Sequence, residues 1–281
     1  MDTDLLKTFL EVSRTRHFGK AADNLYLTRS AVSFRVKQLE SLLGVALFER
    51  QRNNIHPTYA GERMLVHAEA VLTAWERAKQ DVSLSEQHSI QLAIGTGPNI
   101  WETFLKRRMQ RLYQGVEGVA LRTDEKPNAV VARQLLDKTL DISITLDPPQ
   151  LDELEQVAIG QLSLVLVSSQ AETDVESMAN LAYVKVDWGT AFNSWHAQHY
   201  SFLPVPMLQT SSADMALNYL LAQTSMAFLP LDLVEPYLAA GQLHVVRGAS
   251  GLQRNVYLTY WPQSSKSNEI SAAIDLLSSV S

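Results

Sequence analysis

The chain has no cysteine. A disulfide framework, thiolate chemistry and thiolate metal sites are therefore excluded. Long apolar runs are missing too, since none approaches the ~18 residues needed to cross a bilayer. The start, "MDTDLLKTF", is acidic and amphipathic, unlike a signal peptide, and the expectation is a soluble cytoplasmic protein without a membrane partner. Catalytic signatures are equally scarce. "GTGPN" lacks the third glycine of a dinucleotide loop, and no Gly-x-Ser-x-Gly elbow occurs. His196 and His199 lie three apart without a third ligand in a metal-site pattern, and "HAEAV" at His67 is not a metalloprotease motif. No enzyme activity, cofactor or metal is expected. What is present suffices for folding: 281 residues, 46% of them apolar, imply two or three domains with sizeable cores.

The net charge of −6 hides an asymmetry. Residues 1–66 hold ten Lys/Arg against seven Asp/Glu, whereas residues 83–281 hold twelve against twenty. Between Arg14 and Arg52 there are eight basic and three acidic residues. A basic head on an acidic body points to a polyanion contact confined to the head.

Within that head, Leu5, Leu6, Phe9, Leu10 and Val12 pattern a first amphipathic helix, capped by Asp2 or Thr3. Phe18 to Leu25 patterns a second, in which Ala21 and Ala22 permit close helix contact. The turn "YLT" follows, with Thr28 placed to cap a third helix. In that helix Val32, Val36, Leu39 and Leu43 recur at four, three and four and so share one face. At ~100° per residue, Ser30, Ser33, Phe34 and Lys37 land on or near the other side. Two helices joined by a tight turn, the second basic and amphipathic, form a helix-turn-helix. That motif lays the start of its second helix in the DNA major groove, which gives Arg29, Ser30, Ser33, Phe34 and Lys37 base edges and phosphates to meet.

"VALFERQRNNIHPTYAG" reads as a two-stranded wing turning at Asn53-Asn54, with Arg50 and Arg52 reaching backbone phosphates. One long helix from Thr58 to about Ser85 carries a stripe of Met64, Ala68, Val71, Leu72, Trp75, Ala78 and Val82. A free helix of this length is marginal, so the stripe packs on its own chain or pairs with a second copy. Pairing would set two recognition helices on neighbouring half-sites.

From "SIQLAIGTGPNIWETFL" onward, strands alternate with helices through "GVALRTD", Val130 to Leu136, "LDISITLD", "LSLVLVSS", "AYVKVDW", "VPMLQT", "SMAFLP", "QLHVV" and "NVYLTYW". Such alternation implies parallel α/β sheets. Ligands of these sheets lie beyond the strands' carboxyl ends, where helix amino termini also point. Thr96, Gly97, Asn99, Thr145, Trp188, Thr210 and Ser211 occupy such ends and are the candidate cradle for a small anion.

The segment "FLEVSRTRHFGKAADNLYLTRSAVSFRVKQLESLLGVALFERQRNNIHPTYAGE" resembles the winged helix-turn-helix head of the LysR-type transcriptional regulators. The likeness rests on Ala21-Ala22, Leu25, Thr28, Ser30-Ala31-Val32-Ser33, Leu39-Glu40, Leu43-Gly44, Leu47-Phe48, Arg50, Thr58 and Ala60-Gly61, in the family's order and spacing. Departures fall at Arg29, Phe34 and Pro57, on or beside the DNA face, and bear on the operator sequence. Another is Thr224-Ser225-Met226, where many relatives have a Gly-x-Gly turn.

The resemblance implies an α/β multidomain chain. Residues 1–60 form a mainly α winged helix-turn-helix and 61–88 a linker and dimerisation helix. Residues 89–281 form a two-lobed α/β effector domain of periplasmic-binding-protein type. Lobe I takes about 89–160 and 264–281, and lobe II about 161–262. The resemblance also implies double-stranded DNA as partner, contacted by Thr28, Arg29, Ser30, Ser33, Phe34, Lys37, Arg50, Arg52, Asn53 and Thr58. It implies self-association as a homodimer or homotetramer, and a small-molecule effector. Within the family, the nearest likeness points to control of flagellar genes. The alternative is a solute-binding or enzymatic α/β protein with an incidental basic head, which DNA binding would separate.

Overall fold

The computed structural model describes residues 2–51, 54–82, 90–115 and 118–278. The chain divides into two compact units, Met1–Leu84 and Ser85–Ser281. No helix among the described residues is long and apolar enough to cross a membrane.

The first unit opens with α1 (Thr3–Thr15), capped by Asp2, whose carboxylate accepts from the Asp4 amide at 2.9 Å. Helix α2 (Phe18–Asn24) starts at His17, whose Nδ1 accepts from the Gly19 and Lys20 amides. Helix α3 (Arg29–Leu43) is capped by Thr28, whose Oγ1 accepts from the Ala31 amide at 3.2 Å. Each cap satisfies amide donors that a helix start leaves open. Strands β1 (Phe48–Gln51) and β2 (Asn54–Pro57) pair antiparallel, and α4 (Tyr59–Val82) follows. Asn54 pairs with Gln51 as the first residue of β2, so the strand begins one residue earlier than the expected Asn53-Asn54 turn allows.

Two apolar clusters hold this unit. Leu5, Leu6, Phe9, Leu39, Leu47 and Ala68 form one, and Val12, Phe18, Ala21, Ala22, Val32 and Val36 the other. Phe48 packs against both, 5.3 Å from the Phe9 ring and 6.3 Å from that of Phe18. Glu40 of α3 accepts from the Leu47 and Phe48 amides, which fixes the start of β1 to α3. Gly61 has no room for a side chain: a Cβ there would lie 2.2 Å from the Leu47 carbonyl oxygen. Leu43 departs from expectation. It is 43% exposed and belongs to neither cluster, because the cores reach only the first three members of its stripe. Helix α4 divides likewise. Met64, Leu65, Ala68, Val71 and Leu72 pack toward α1, whereas Trp75 is 49% and Val82 87% exposed.

In the second unit, β3 (Ile90–Thr96), a π-helical turn (Trp101–Leu105), α5 (Met109–Gly115), β4 (Val119–Glu125), α6 (Asn128–Leu136) and β5 (Ile142–Thr145) build the first lobe. The long β6 (Glu155–Ser168) leads to β7 (Ala182–Val186), α7 (Thr190–His199), β8 (Leu208–Thr210), α8 (Ala213–Ala222), β9 (Ser225–Pro230), α9 (Leu231–Ala239) and β10 (His244–Val245). Then β11 (Leu252–Tyr260) returns, and α10 (Ser267–Ser278) packs on α5 and β6. The strand order is β4-β3-β5-β11-β6-β9-β7-β8, with β10 beside β6. Pairing is parallel within β4-β3-β5 and within β9-β7-β8, as the alternation implies. The junction differs. The chain crosses between lobes once on β6 and returns on β11, so these two strands run antiparallel.

Candidate nucleic-acid interface and inter-lobe cleft

Helix α3 is two-sided. Val32, Val36 and Leu39 are at most 2% exposed, while Arg29, Ser30 and Lys37 are exposed and Phe34 is 67% exposed. Ser33 lies partly covered on the same open side. Arg35, between the faces, pairs with Asp4 of α1 at 3.1 Å, so that cation serves packing. Thr28 is exposed, with its hydroxyl engaged in the cap and 2.9 Å from that of Ser30. Thr58 donates to the Ala46 carbonyl at 2.7 Å and accepts from the Gly61 amide, which commits its hydroxyl to starting α4. Arg50 lies in β1 opposite Ile55. Arg52 and Asn53 lie outside the described residues. Tyr26, 97% exposed with a left-handed backbone at φ 55°, adjoins this face, and the sequence pattern gave no reason to single it out.

In the second unit the carboxyl ends of β3, β5, β7 and β8 meet at the seam between lobes, carrying Thr96, Thr145, Trp188 and Thr210. Gly97 and Trp188 line one small cavity of about 30 Å³, with Pro98, Asn128, Leu146, Asp187 and Gly189. That is room for about one water molecule. The indole of Trp188 fills the centre, 1% exposed, and its Nε1 donates to the Phe228 carbonyl at 2.9 Å. Thr145 stands against Gly97, as does Asn128, and both Thr145 Oγ1 and Asn128 Oδ1 are buried without a partner. Thr210 and Ser211 sit at the entrance to α8, and Thr210 Oγ1 accepts from the Ser212 amide.

Two of the helix amino termini at the seam, those of α7 and α8, are occupied. Asn99, at φ 68°, accepts through Oδ1 from the Ala213 amide at 2.6 Å. Asp147 accepts from the Thr190 amide at 2.7 Å and pairs with the buried Arg254 at 2.6 Å. Arg254 also donates to the Trp188 and Leu146 carbonyls. A Cβ on Gly189 would lie 2.0 Å from the Asp147 carboxylate, so only glycine admits this approach. An anion cradle is not what these groups make. Asp147 and Asp187 line the seam, and Arg254 is already paired. Glu125, opposite Thr96 in the β3–β4 register, is pushed above the usual carboxylate range by burial and then by Glu102. More open space lies on either side of Asp147. One groove of about 370 Å³ runs along α6 and α7, and another of about 680 Å³ runs along β6 and β11. Asn128, Asp147, Asp187 and Arg254 were missed by sequence reasoning. No local motif marks them, and Asp147 and Arg254 gain their places from partners far along the chain. Among the described residues, no group of three His, Asp or Glu is placed to hold a metal ion.

Residues 3–62 match the family model described as bacterial regulatory helix-turn-helix protein, lysR family, and residues 85–281 match the LysR substrate binding domain. The chain is 42% identical over 239 residues to the HTH-type transcriptional regulator HdfR of Yersinia enterocolitica, covering 82% of this chain and 81% of that one. It is 39% identical over 280 residues to HdfR of Salmonella schwarzengrund, covering 99% and 97%. Full-length CbnR complexed with its target DNA shares the fold with a TM-score of 0.73 at 17% identity, over 99% of this chain and 100% of that one.

Proposed function

The chain belongs to the LysR family of DNA-binding transcriptional regulators, and from that premise we propose how it reads DNA, assembles and receives a signal. Base edges in the major groove are read by Ser30, Ser33, Phe34 and Lys37. Arg29, Arg50 and Arg52 aid on phosphates or bases, and Thr28, Asn53 and Thr58 flank them. The observation that carries this reading is the division of α3: one face buried by Val32, Val36 and Leu39, the other open and polar. Two copies pair through the exposed part of α4 and set two heads on adjacent half-sites, and effector units extend the dimer to a tetramer. Residues 1–60 are the DNA-binding head, 61–88 the linker, and 89–281 the effector domain. Lobe I is about 89–160 with 264–281, and lobe II about 161–262. The seam beside Thr96, Gly97, Asn99, Thr145, Trp188, Thr210 and Ser211 receives a small-molecule effector. The protein is cytoplasmic and non-catalytic, and flagellar or motility genes are its proposed targets.

The test is a mobility shift with promoter fragments, titrated with salt. A base-reading contact is worth ~1–3 kcal/mol and its loss relaxes sequence preference. A phosphate contact weakens all sequences alike and lowers the salt slope by ~1. Ser33→Ala with Lys37→Ala is expected to lower operator affinity by at least ~10-fold. Unchanged affinity and preference would rule out this face.

A further inference from the structure

Three helices of lobe II begin at the seam, and lobe I touches the first turn of each. Asp147, just past β5, accepts from the Thr190 amide at the start of α7. Asn99, just past β3, accepts from the Ala213 amide at the start of α8. Arg107, after the π-helical turn, donates to the Asp232 carbonyl in the first turn of α9. The first two contacts place side-chain oxygens where a helix has open amide donors and a positive dipole end. Asp147 is further held by Arg254, which lies on the returning strand β11 and also grips the Trp188 carbonyl. One carboxylate thus ties lobe I, lobe II and the crossing strand together. The Asp147–Arg254 pair is shielded, with side-chain exposures of 26% and 7%, so water screens it less than a surface pair.

We propose that Asp147 and Asn99 form a built-in latch that closes the two lobes without a ligand, by supplying from lobe I side-chain oxygens that accept from the first amides of α7 and α8. Opening the seam breaks both cross-lobe hydrogen bonds and strips Arg254 of its carboxylate. The Trp188 indole and the small cavity beside it lie between the two fastenings, so entry to that cavity requires release of at least one. The latch sets the resting state of the effector unit, and a signal acts by shifting the balance between latched and open forms. This inference rests on the reading of the seam as the place where a signal is received.

The test is amide hydrogen exchange on the full-length protein, free of DNA and of added small molecules, for the wild type, Asp147→Ala and Asn99→Ala. Loss of a charge-assisted hydrogen bond should speed exchange at the Thr190 amide roughly 10- to 100-fold in Asp147→Ala. A latch further requires a crossed effect: Ala213 must also exchange faster in Asp147→Ala, and Thr190 in Asn99→Ala. Acceleration confined to the amide beside each substituted residue would overturn the proposal, leaving two independent hydrogen bonds. Asp152→Asn, an exposed carboxylate near the same loop, serves as the control and should move neither amide. If Asp147→Ala fails to fold, Asp147→Asn keeps the size and one acceptor oxygen but loses the charge facing Arg254. It should show the same crossed acceleration at smaller amplitude, and its absence would overturn the latch. The signal role of the seam is read separately: an operator footprint identical to wild type, in a variant whose seam has opened, would remove that role and leave the latch standing.

Discussion

Replacing Trp188 by alanine should cost the effector unit a large part of its stability. The indole is 1% exposed and sits in the main core of that unit beside Phe192 and Phe228. Truncating a buried tryptophan to alanine typically costs ~3–5 kcal/mol through lost burial and the cavity left behind. The Phe228 carbonyl would also lose the indole N–H, adding ~1–3 kcal/mol if it stays dry. For a unit of about 200 residues, 1 kcal/mol moves the melting temperature by ~2–4 °C, so the core term alone predicts a drop of ~6–20 °C. Differential scanning calorimetry of the full chain suits the measurement, because two compact units need not melt together. Trp188→Phe keeps most of the apolar volume but loses the donor and part of the ring system, so its drop should be smaller than that of Trp188→Ala. Indole offers an independent check. A ligand at ~100 times its dissociation constant returns ~2.7 kcal/mol, so saturating indole should recover much of the loss in Trp188→Ala and leave the wild type unmoved. A drop below ~2 °C in Trp188→Ala would refute the reasoning, since it would mean that the side chain does not plug the seam.

Acid should weaken the second lobe through His196. Its Nε2 lies 2.8 Å from the Tyr183 hydroxyl, its ring stacks on Tyr183, and Phe192, Tyr200 and Phe228 surround it. Burial, and then Lys185, lower its pKa from the ordinary 6.5, so the folded state takes up the proton less readily than the unfolded one. Its contribution is therefore intact above pH 6.5 and is lost as pH falls from there through the folded-state pKa. Melting from pH 7.5 to 5 should show the wild type declining more steeply than His196→Gln, and parallel curves would exclude this role. On α4, Trp75 is the large side chain of the open stripe, and Trp75→Ala should weaken self-association. An aromatic anchor at an interface is worth ~2 kcal/mol or more, roughly 30-fold in dissociation constant. Light scattering at micromolar concentration measures it, and a monomeric wild type would end the pairing model.

The DNA head was legible because its signals are local. Thr28 caps the helix it precedes, and the stripe of Val32, Val36 and Leu39 fixes which side faces out within a few turns. Leu43 broke that pattern because periodicity says which face a residue shares, not how far the core extends along it. Strand positions in the effector unit were legible for a similar reason, as short apolar runs ending in small polar residues. What escaped was pairing across distance. Asp147 and Arg254 are 107 residues apart, and Asn99 reaches an amide 114 residues away. Neither carboxylate nor arginine carries a local mark of such a partner.

That difference has a consequence for how regulation can be built on this fold. On α3, an exposed side chain can be changed while the buried face of Val32, Val36 and Leu39 keeps the helix in place. At the seam no such separation exists, because Trp188, Arg254 and Asp147 are at once packing and gate. A ligand shifts the equilibrium only by its differential affinity for the two states. The cavity beside Trp188 holds only about 30 Å³, so a metabolite reaches that space only when the lobes part, although the wider groove of about 370 Å³ along α6 and α7 stays open. The metabolite's affinity for that space must therefore offset the loss of the two cross-lobe hydrogen bonds and the Asp147–Arg254 pair. The same geometry makes stability and sensitivity move in opposite directions. A substitution that loosens the latch lowers the threshold for a signal, and one that tightens it makes the regulator less responsive.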